Sequence, residues 1–444
     1  MDAVNLLLTF LVYFLLQCAR CQPPDSSHHG RNGKVVVCYV GTWATYRPGK
    51  GAFHIDSIDP SLCSHLVYSF AGLDTNTWTL KSLDPYNDLE ENYGKGSFKK
   101  MTGLKSAHPQ LKVTLAVGGW NEGSANYSAM AADPEKRAKF VASALEMIQK
   151  YDFDGLDLDW EFPTQRGGRP EDKENFVALI KDLRNALKPN GYILTAAISA
   201  GIETLKKGYR LKEVGDALDY VHLMCYDYHG SWDSMTGSNS PLGPITDPLT
   251  IESSVTYVLA NGIPRGKLVL GLPMYGRTFM LEKAPPLNAT RKLGELTVPG
   301  AGFQGPFTKT DGFLGYNEIC TELKKEGWST YWDEKSSTPF AVNGEKVISY
   351  DDAKSIKLKT AYAMDLDLAG VLVWSLDTDD FQGDCSTPGD VNPKYPLLKT
   401  INEAILQGSV TPKRNMKNLN PNGSSKAASS LLVVMLTFAF LNFF

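Results

Sequence analysis

Charge of either sign is nearly balanced in this 444-residue chain: 45 lysines and arginines stand against 49 aspartates and glutamates, a formal net charge of −4. So small a surplus offers a polyanion no purchase, so nucleic acid is not expected as a partner and a neutral substrate fits better. Histidine and cysteine are scarce, seven of each, and no His/Cys cluster has the spacing of a transition-metal site. No Gly-x-Gly-x-x-Gly follows the first strand-like run, which removes support for a dinucleotide. No cofactor and no metal are expected. Long apolar runs are missing from the interior of the chain; two lie at its ends, and each is short for a membrane span.

The first run, Leu6–Leu16, is followed by Ala19-Arg-Cys21 and reads as a signal peptide over residues 1–21, although a basic n-region is missing. A retained N-terminal anchor is the alternative. Removal after Cys21 leaves Cys38, Cys63, Cys225, Cys320 and Cys385, an odd number. In an oxidising compartment that number is met by two bridges and one buried thiol, and Cys225, inside an apolar strand-like run, is the natural odd residue. Sequons at Asn126-Tyr-Ser128 and Asn288-Ala-Thr290 agree with secretion. The second run, 431–444, is uncharged and follows a small-residue triplet, Asn422-Gly-Ser424, and a polar spacer, 425–430. That order matches a glycosylphosphatidylinositol attachment signal with Asn422 as candidate residue, and predicts lipid-anchored association with the outer leaflet of the plasma membrane. A short tail anchor and a buried C-terminal helix are the alternatives, and Asn422 also begins a sequon.

Between the ends, β-branched runs alternate with amphipathic stretches, the pattern of a parallel sheet built from βα units. Eight runs are read as strands: 34–41, 65–71, 112–118, 155–161, 193–198, 220–226, 267–273 and 370–375. Among the helices, Asp133 can cap and Pro134 can open a stretch whose Phe140, Val141, Ala144, Leu145 and Ile148 form one apolar stripe. The expected fold class is α/β, a (β/α)8 TIM barrel over residues 34–406, with its site at the C-terminal ends of the strands. An open doubly wound sheet is the runner-up. The interval 277–346 is too long for a bare loop and is read as a small α+β insertion between strand 7 and helix 7, with pieces near 316–326, 328–332 and 346–350. Residues 22–33 and 407–430 read as linkers.

The chemistry is concentrated in Asp154-Gly-Leu-Asp157-Leu-Asp159-Trp-Glu161. Alternate side chains of a strand share a face, so Asp157, Asp159 and Glu161 project one way and Leu156, Leu158 and Trp160 the other. Asp154 is out of phase and serves the start of the strand or a backbone cap. Three carboxylates about 7 Å apart from one to the next cannot all stay ionised in a barrel interior. Asp157 and Asp159 are expected to hold one proton between them, leaving Glu161 at the rim with a raised pKa as a general acid. A solvated acidic strand end and a hard-metal site are the blander readings.

With these residues the chain resembles the glycoside hydrolase family 18 chitinases, whose signature strand is Asp-Gly-x-Asp-x-Asp-x-Glu. Further motifs fall in the same order: Val37-Cys-Tyr39, Tyr68-Ser-Phe70, Ala116-Val-Gly118-Gly119-Trp120-Asn121, Met224-Cys-Tyr226-Asp227, Tyr275-Gly-Arg277 and Trp374. The resemblance implies hydrolysis of chitin or chitin oligosaccharides by a retaining mechanism in which the substrate's own 2-acetamido oxygen is the nucleophile. It implies Glu161 as acid and base, Asp159 holding the acetamido N–H, Asp157 sharing the proton of Asp159, and Tyr226 donating to the acetamido oxygen. Asp227 is then expected to contact the same sugar and Trp374 to floor it. Tyr39, Phe70, Gly118, Gly119, Trp120, Met224, Tyr275 and Arg277 are the remaining substrate-site candidates, with Trp43 and Trp232 lining a longer cleft. Read singly, Met224 and Trp374 fit a barrel core and Gly118-Gly119 a tight turn. The resemblance also implies bridges Cys38–Cys63 and Cys320–Cys385, with Cys225 free.

Two rivals share the family: a chitin-binding lectin without turnover, and an endo-β-N-acetylglucosaminidase acting on N-glycans. No cysteine follows Cys385, so no disulfide-bonded chitin-binding module is expected after the barrel. A monomer is expected.

Overall fold

The computed structural model of the chain describes residues 31–284, 286, 290–386 and 389–408. The expected signal peptide, most of the first linker, Asn288, Asn422 and the C-terminal run lie outside the described residues.

Eight strands form the barrel: β1 (Val35–Gly41), β2 (His65–Asp74), then, after the short β3 (Thr79–Ser82), β4 (Lys112–Gly118), β5 (Gly155–Asp159), β6 (Ile193–Ser199), β7 (Tyr220–Met224), β8 (Leu268–Pro273) and finally β14 (Gly370–Trp374). Their parallel ladder runs β1-β14-β8-β7-β6-β5-β4-β2, and β1 also pairs with β2, so the sheet closes. β1, β6 and β8 are buried at every residue, as expected where helices cover the outside and side chains fill the inside. Leu156, Leu158 and Trp160 pack outward into the core under the helices, while Val35, Val37, Val67, Ala116, Val269 and Leu372 fill the interior. The helix Pro134–Tyr151 follows its sequence signals: the Asp133 carboxylate accepts from the N–H groups of Glu135 and Lys136, and Phe140, Val141, Ala144 and Ile148 are buried.

Three strands end before their sequence runs do. β5 stops at Asp159, β7 at Met224 and β14 at Trp374. The alternation of side chains continues past these points, but no neighbouring strand remains to pair with, and the chain turns into the barrel mouth. Glu161 and Tyr226 are therefore loop residues held just beyond strand ends.

The expected insertion forms a separate antiparallel sheet, ordered β10-β9-β13-β12-β11. Its strands are β9 (Tyr275–Met280), β10 (Phe313–Gly315), β11 (Ser329–Asp333), β12 (Thr338–Asn343) and β13 (Lys346–Ser349), with a helix at Tyr316–Glu322. Sequence reading misses β12 because Pro339 argues against a strand. Pro339, its second residue, is paired with Trp332 of β11, and its carbonyl accepts from the Tyr350 N–H beside β13, so the sheet holds the proline with only the reciprocal bond of that pair missing. β3, antiparallel to β2, is also unforeseen.

Cys38 bridges to Cys63 and Cys320 to Cys385, while Cys225 is free and buried. The second bridge ties the insertion helix to the loop after β14. Asp154 accepts from the Val113 N–H at 2.8 Å and faces Lys105 and Lys112, which makes it a fastener at the start of β5.

Candidate active site

Strand parity places Asp157 and Asp159 inside the barrel, both buried. Asp157 is surrounded by donors: Thr195 Oγ1 donates to its Oδ1 at 2.5 Å, Tyr39 Oη donates to its Oδ2 at 2.7 Å, and His222 Nδ1 lies 3.2 Å from Oδ1. Burial pushes this carboxyl up, but the His222 imidazole and the three hydrogen-bonding groups outweigh it and hold Asp157 below the usual carboxylate range. Asp159 goes the other way. Burial, then the charges of Glu161 and Asp157, raise it well above that range. Its Oδ1 has no hydrogen-bond partner among the described residues, which a neutral acid tolerates better than an ionised one.

The donors gathered on Asp157 and the unpartnered Oδ1 of Asp159 make the two acids of the expected shared-proton pair unequal. The surroundings hold the Asp157 carboxyl down and push that of Asp159 up.

Glu161 follows two residues beyond the strand. Burial and the charge of Asp227 raise its carboxyl to about 7, opposed in part by the Arg166 guanidinium. Arg166 was not foreseen. It stacks 3.5 Å from the Trp120 ring centroid and donates to the carbonyls of Trp120 and Glu161, tying two loops of the mouth together.

The glycine pair is a close approach more than a turn. A Cβ on Gly118, at φ +113°, would stand 2.2 Å from the Asp159 carbonyl oxygen, and one on Gly119, at φ +85°, would stand 2.8 Å from the Phe70 ring. The Gly119 N–H donates to that Asp159 carbonyl at 2.8 Å. The two glycines let the end of β4 lie against the end of β5 where the acids emerge.

Across the mouth, Asp227 adopts a left-handed backbone at φ +59° and donates its N–H to Asn239 Oδ1. Its carboxylate accepts from Tyr275 Oη at 2.6 Å and from Arg277 Nε at 2.8 Å, with Arg277 Nη2 2.8 Å from the other oxygen. Tyr275, expected along the cleft, is buried beneath Asp227, its ring stacked on Phe313 at 4.6 Å and its hydroxyl engaged. Tyr226 is partly buried between these groups; burial and the charges of Asp159, Asp227 and Glu161 raise its phenol, so it remains a donor.

Trp374 is not a sealed core residue. It is partly exposed and stacks on Phe70 at 5.8 Å, with Trp43 at 6.1 Å and Tyr39 at 5.6 Å completing an aromatic floor. Met224, the other candidate that read singly as core, is half-buried at the end of β7. Trp43, Trp120 and Trp232 are exposed, Trp232 with Arg277 5.1 Å from its ring. The arrangement couples a glutamate whose carboxyl is raised to about 7, a second buried acid and a phenol donor to a broad aromatic surface, which suits proton transfer to a neutral, hydroxyl-rich ligand.

Sequence reasoning missed Thr195 and His222 as well as Arg166. Thr195 was discoverable from register, since it pairs with Asp157, and His222 from parity, being interior on β7. Of the sequons, Asn126 is exposed on the helix Ala125–Ala132, whereas Ser128 is buried with its hydroxyl donated to Asp172 at 2.8 Å.

A closed (β/α)8 barrel with a raised glutamate carboxyl at the C-terminal mouth, beside tryptophans stacked on Phe70, has the parts of a glycoside hydrolase, and the chain's relatives show that class. The profile described as Glycosyl hydrolases family 18 matches residues 35–379, and the chain belongs to that family. It is similar to the "Probable chitinase 2" of Drosophila melanogaster, 50% identical over 397 residues that cover 84% of this chain and 81% of the relative. Among solved structures it is similar to the Group IV chitinase of Ostrinia furnacalis in complex with allosamidin: 43% identity, TM-score 0.79, covering 85% of this chain and 100% of that one. It is also similar to human YKL-39, described as a pseudo-chitinase with retained chitooligosaccharide binding properties: 31% identity, TM-score 0.73, covering 84% and 99%.

If the charge of Asp227 helps keep Glu161 protonated, Asp227→Asn lowers the Glu161 pKa from about 7 towards the ordinary glutamate range. Carboxyl carbon NMR titration of the labelled protein reads this directly, and an unmoved titration contradicts the assignment.

Proposed function

We propose that this chain is a chitinase that hydrolyses β-1,4 bonds between N-acetylglucosamine units by a retaining, substrate-assisted mechanism, with Glu161 as acid and then base. The observation that carries this reading is the build of the ladder: Asp157 ringed by donors, Asp159 buried with Oδ1 unpartnered among the described residues, and Glu161 at the mouth with its carboxyl raised to about 7.

In the proposed reaction the sugar whose bond is cut rests on Trp374. Glu161 gives its proton to the glycosidic oxygen as that bond breaks, and the 2-acetamido oxygen of the same sugar closes onto the anomeric carbon, forming an oxazolinium ion. Asp159 Oδ1, without a partner among the described residues, accepts the acetamido N–H. Tyr226 donates to the acetamido oxygen and orients it. The Glu161 carboxylate then takes a proton from water, whose oxygen attacks the anomeric carbon from the face the leaving group vacated, and the ring opens with configuration retained. Asp227, fixed by Tyr275 and Arg277, supplies a rigid negative charge and an edge for the sugar.

The similarity to a pseudo-chitinase supports a second reading, binding without turnover. Hydrolysis of a chitin oligomer by wild type and by Glu161→Gln separates the two. The wild type cleaves, with a rate that falls as pH rises through about 7 because the acid must be protonated, and the variant is slower by about 10²–10⁴-fold. Equal rates contradict the mechanism, and tight binding with no turnover in either protein supports the binding reading.

The proposed cellular position is the outer face of the plasma membrane, through a lipid anchor at Asn422. It is supported by the order of small triplet, polar spacer and apolar run in the last residues of the sequence. Among the described residues no helix is long and apolar enough to cross a membrane. A phosphatidylinositol-specific phospholipase is expected to release the protein from cell surfaces; retention contradicts the anchor.

A further inference from the structure

His222 is a buried titratable group that the mechanism above does not use. It is 1% exposed on the inner face of β7. Its Nδ1 lies 2.7 Å from Tyr39 Oη and 3.2 Å from Asp157 Oδ1. Tyr39 has a single hydroxyl proton and gives it to Asp157 Oδ2. The phenol oxygen can then only accept from His222, which assigns the proton to Nδ1. Nε2 is buried without a partner among the described residues.

The surroundings of the ring support one role. β1 contributes Tyr39 and β5 contributes Asp157, while the residues in register on β6 and β8, Ala197 and Val269, carry no charge. Asp159 and Tyr226 lie close enough to act electrostatically on Tyr39. Tyr220, two residues earlier on the same face of β7, turns its ring to His65 at 5.7 Å. Among the described residues, the carboxylate on which the imidazole acts is thus the lowest acid of the ladder, two residues below Asp159.

We propose that His222 is a positioning residue for the reaction: its Nδ1–H, acting on Asp157 directly and through Tyr39, makes Asp157 a poor proton acceptor and so keeps the ladder's proton on Asp159 beside Glu161. Without that donor Asp157 becomes the stronger base and draws the proton down. Negative charge then moves from Asp157 to Asp159, next to Glu161, and Glu161 keeps its proton to higher pH. The acid limb moves the same way, because Asp157 takes up protons more readily. This inference rests on the reading of Glu161 as the acid.

The test is the pH dependence of kcat and of kcat/KM on a chitin oligomer for wild type, His222→Leu and His222→Asn. The leucine variant is expected to shift both limbs upward by about one pH unit with KM little changed, since His222 touches no sugar. Asparagine places an amide N–H where Nδ1 was and is expected to return the profile to that of wild type. A His222→Leu profile superimposed on wild type, with only kcat or Tm lowered, reduces His222 to a packing residue and overturns the proposal; so does an asparagine profile displaced as far as the leucine one. Should His222→Leu fail to fold, Tyr39→Phe removes the bridging hydroxyl and is expected to shift the limbs in the same direction, an unmoved profile overturning the proposal. Absence of turnover by the wild type would instead reject the chitinase reading, so the two failures are distinct.

Discussion

Carboxyl groups stacked along one face of a strand, inside a barrel that excludes water, cannot share negative charge freely. The rest of the site answers that constraint. Asp157 receives the donors, from Thr195, Tyr39 and His222, which hold its carboxyl down. Asp159 receives none at Oδ1, and its carboxyl is pushed well above the usual range. Glu161, partly open to the mouth and facing Asp227, titrates near 7. Each acid owes its state to what the neighbouring strands supply: β1 and β6 at the bottom, the loops after β4, β5 and β7 at the top. A ladder of identical acids becomes a graded one because donors are confined to its lower end.

The mouth is built so that this gradient meets a ligand in one place. Gly118 and Gly119 allow two strand ends to approach where side chains would collide. Arg166 fastens the Trp120 loop to the backbone of Glu161. Tyr275 and Arg277, at the start of the insertion sheet, hold Asp227 by three contacts. The insertion therefore reaches the chemistry itself, since β9 begins two residues after β8 ends and delivers both residues at once.

Much of this was legible in the sequence. Eight strands, a closed barrel, the cysteine pairing implied by family resemblance and the parity of the acid strand all agree with the structure, because β periodicity, cap residues and motif order are local signals. What sequence could not settle was set by partners distant along the chain. The donors around Asp157 come from far away: Tyr39 reaches it across 118 residues and is itself met by His222 across 183. Strand ends were overrun at Glu161 and Tyr226, since alternation outlasts the ladder that defines a strand. β12 was hidden by a proline that the sheet accommodates at the second residue of the strand. Tyr275 looked like a cleft aromatic and proved to be the support beneath Asp227.

The central claim is that the nucleophile belongs to the substrate, so the protein provides an acid, an orienting carboxyl and a phenol but no covalent partner. The most direct measurement compares two otherwise identical oligosaccharides, one with an N-acetyl group and one with a free amine on the sugar that supplies the anomeric carbon. The account predicts cleavage of the acetylated compound alone, with the product released initially as the β-anomer by NMR. Comparable cleavage of both compounds, or initial release of the α-anomer, would contradict it.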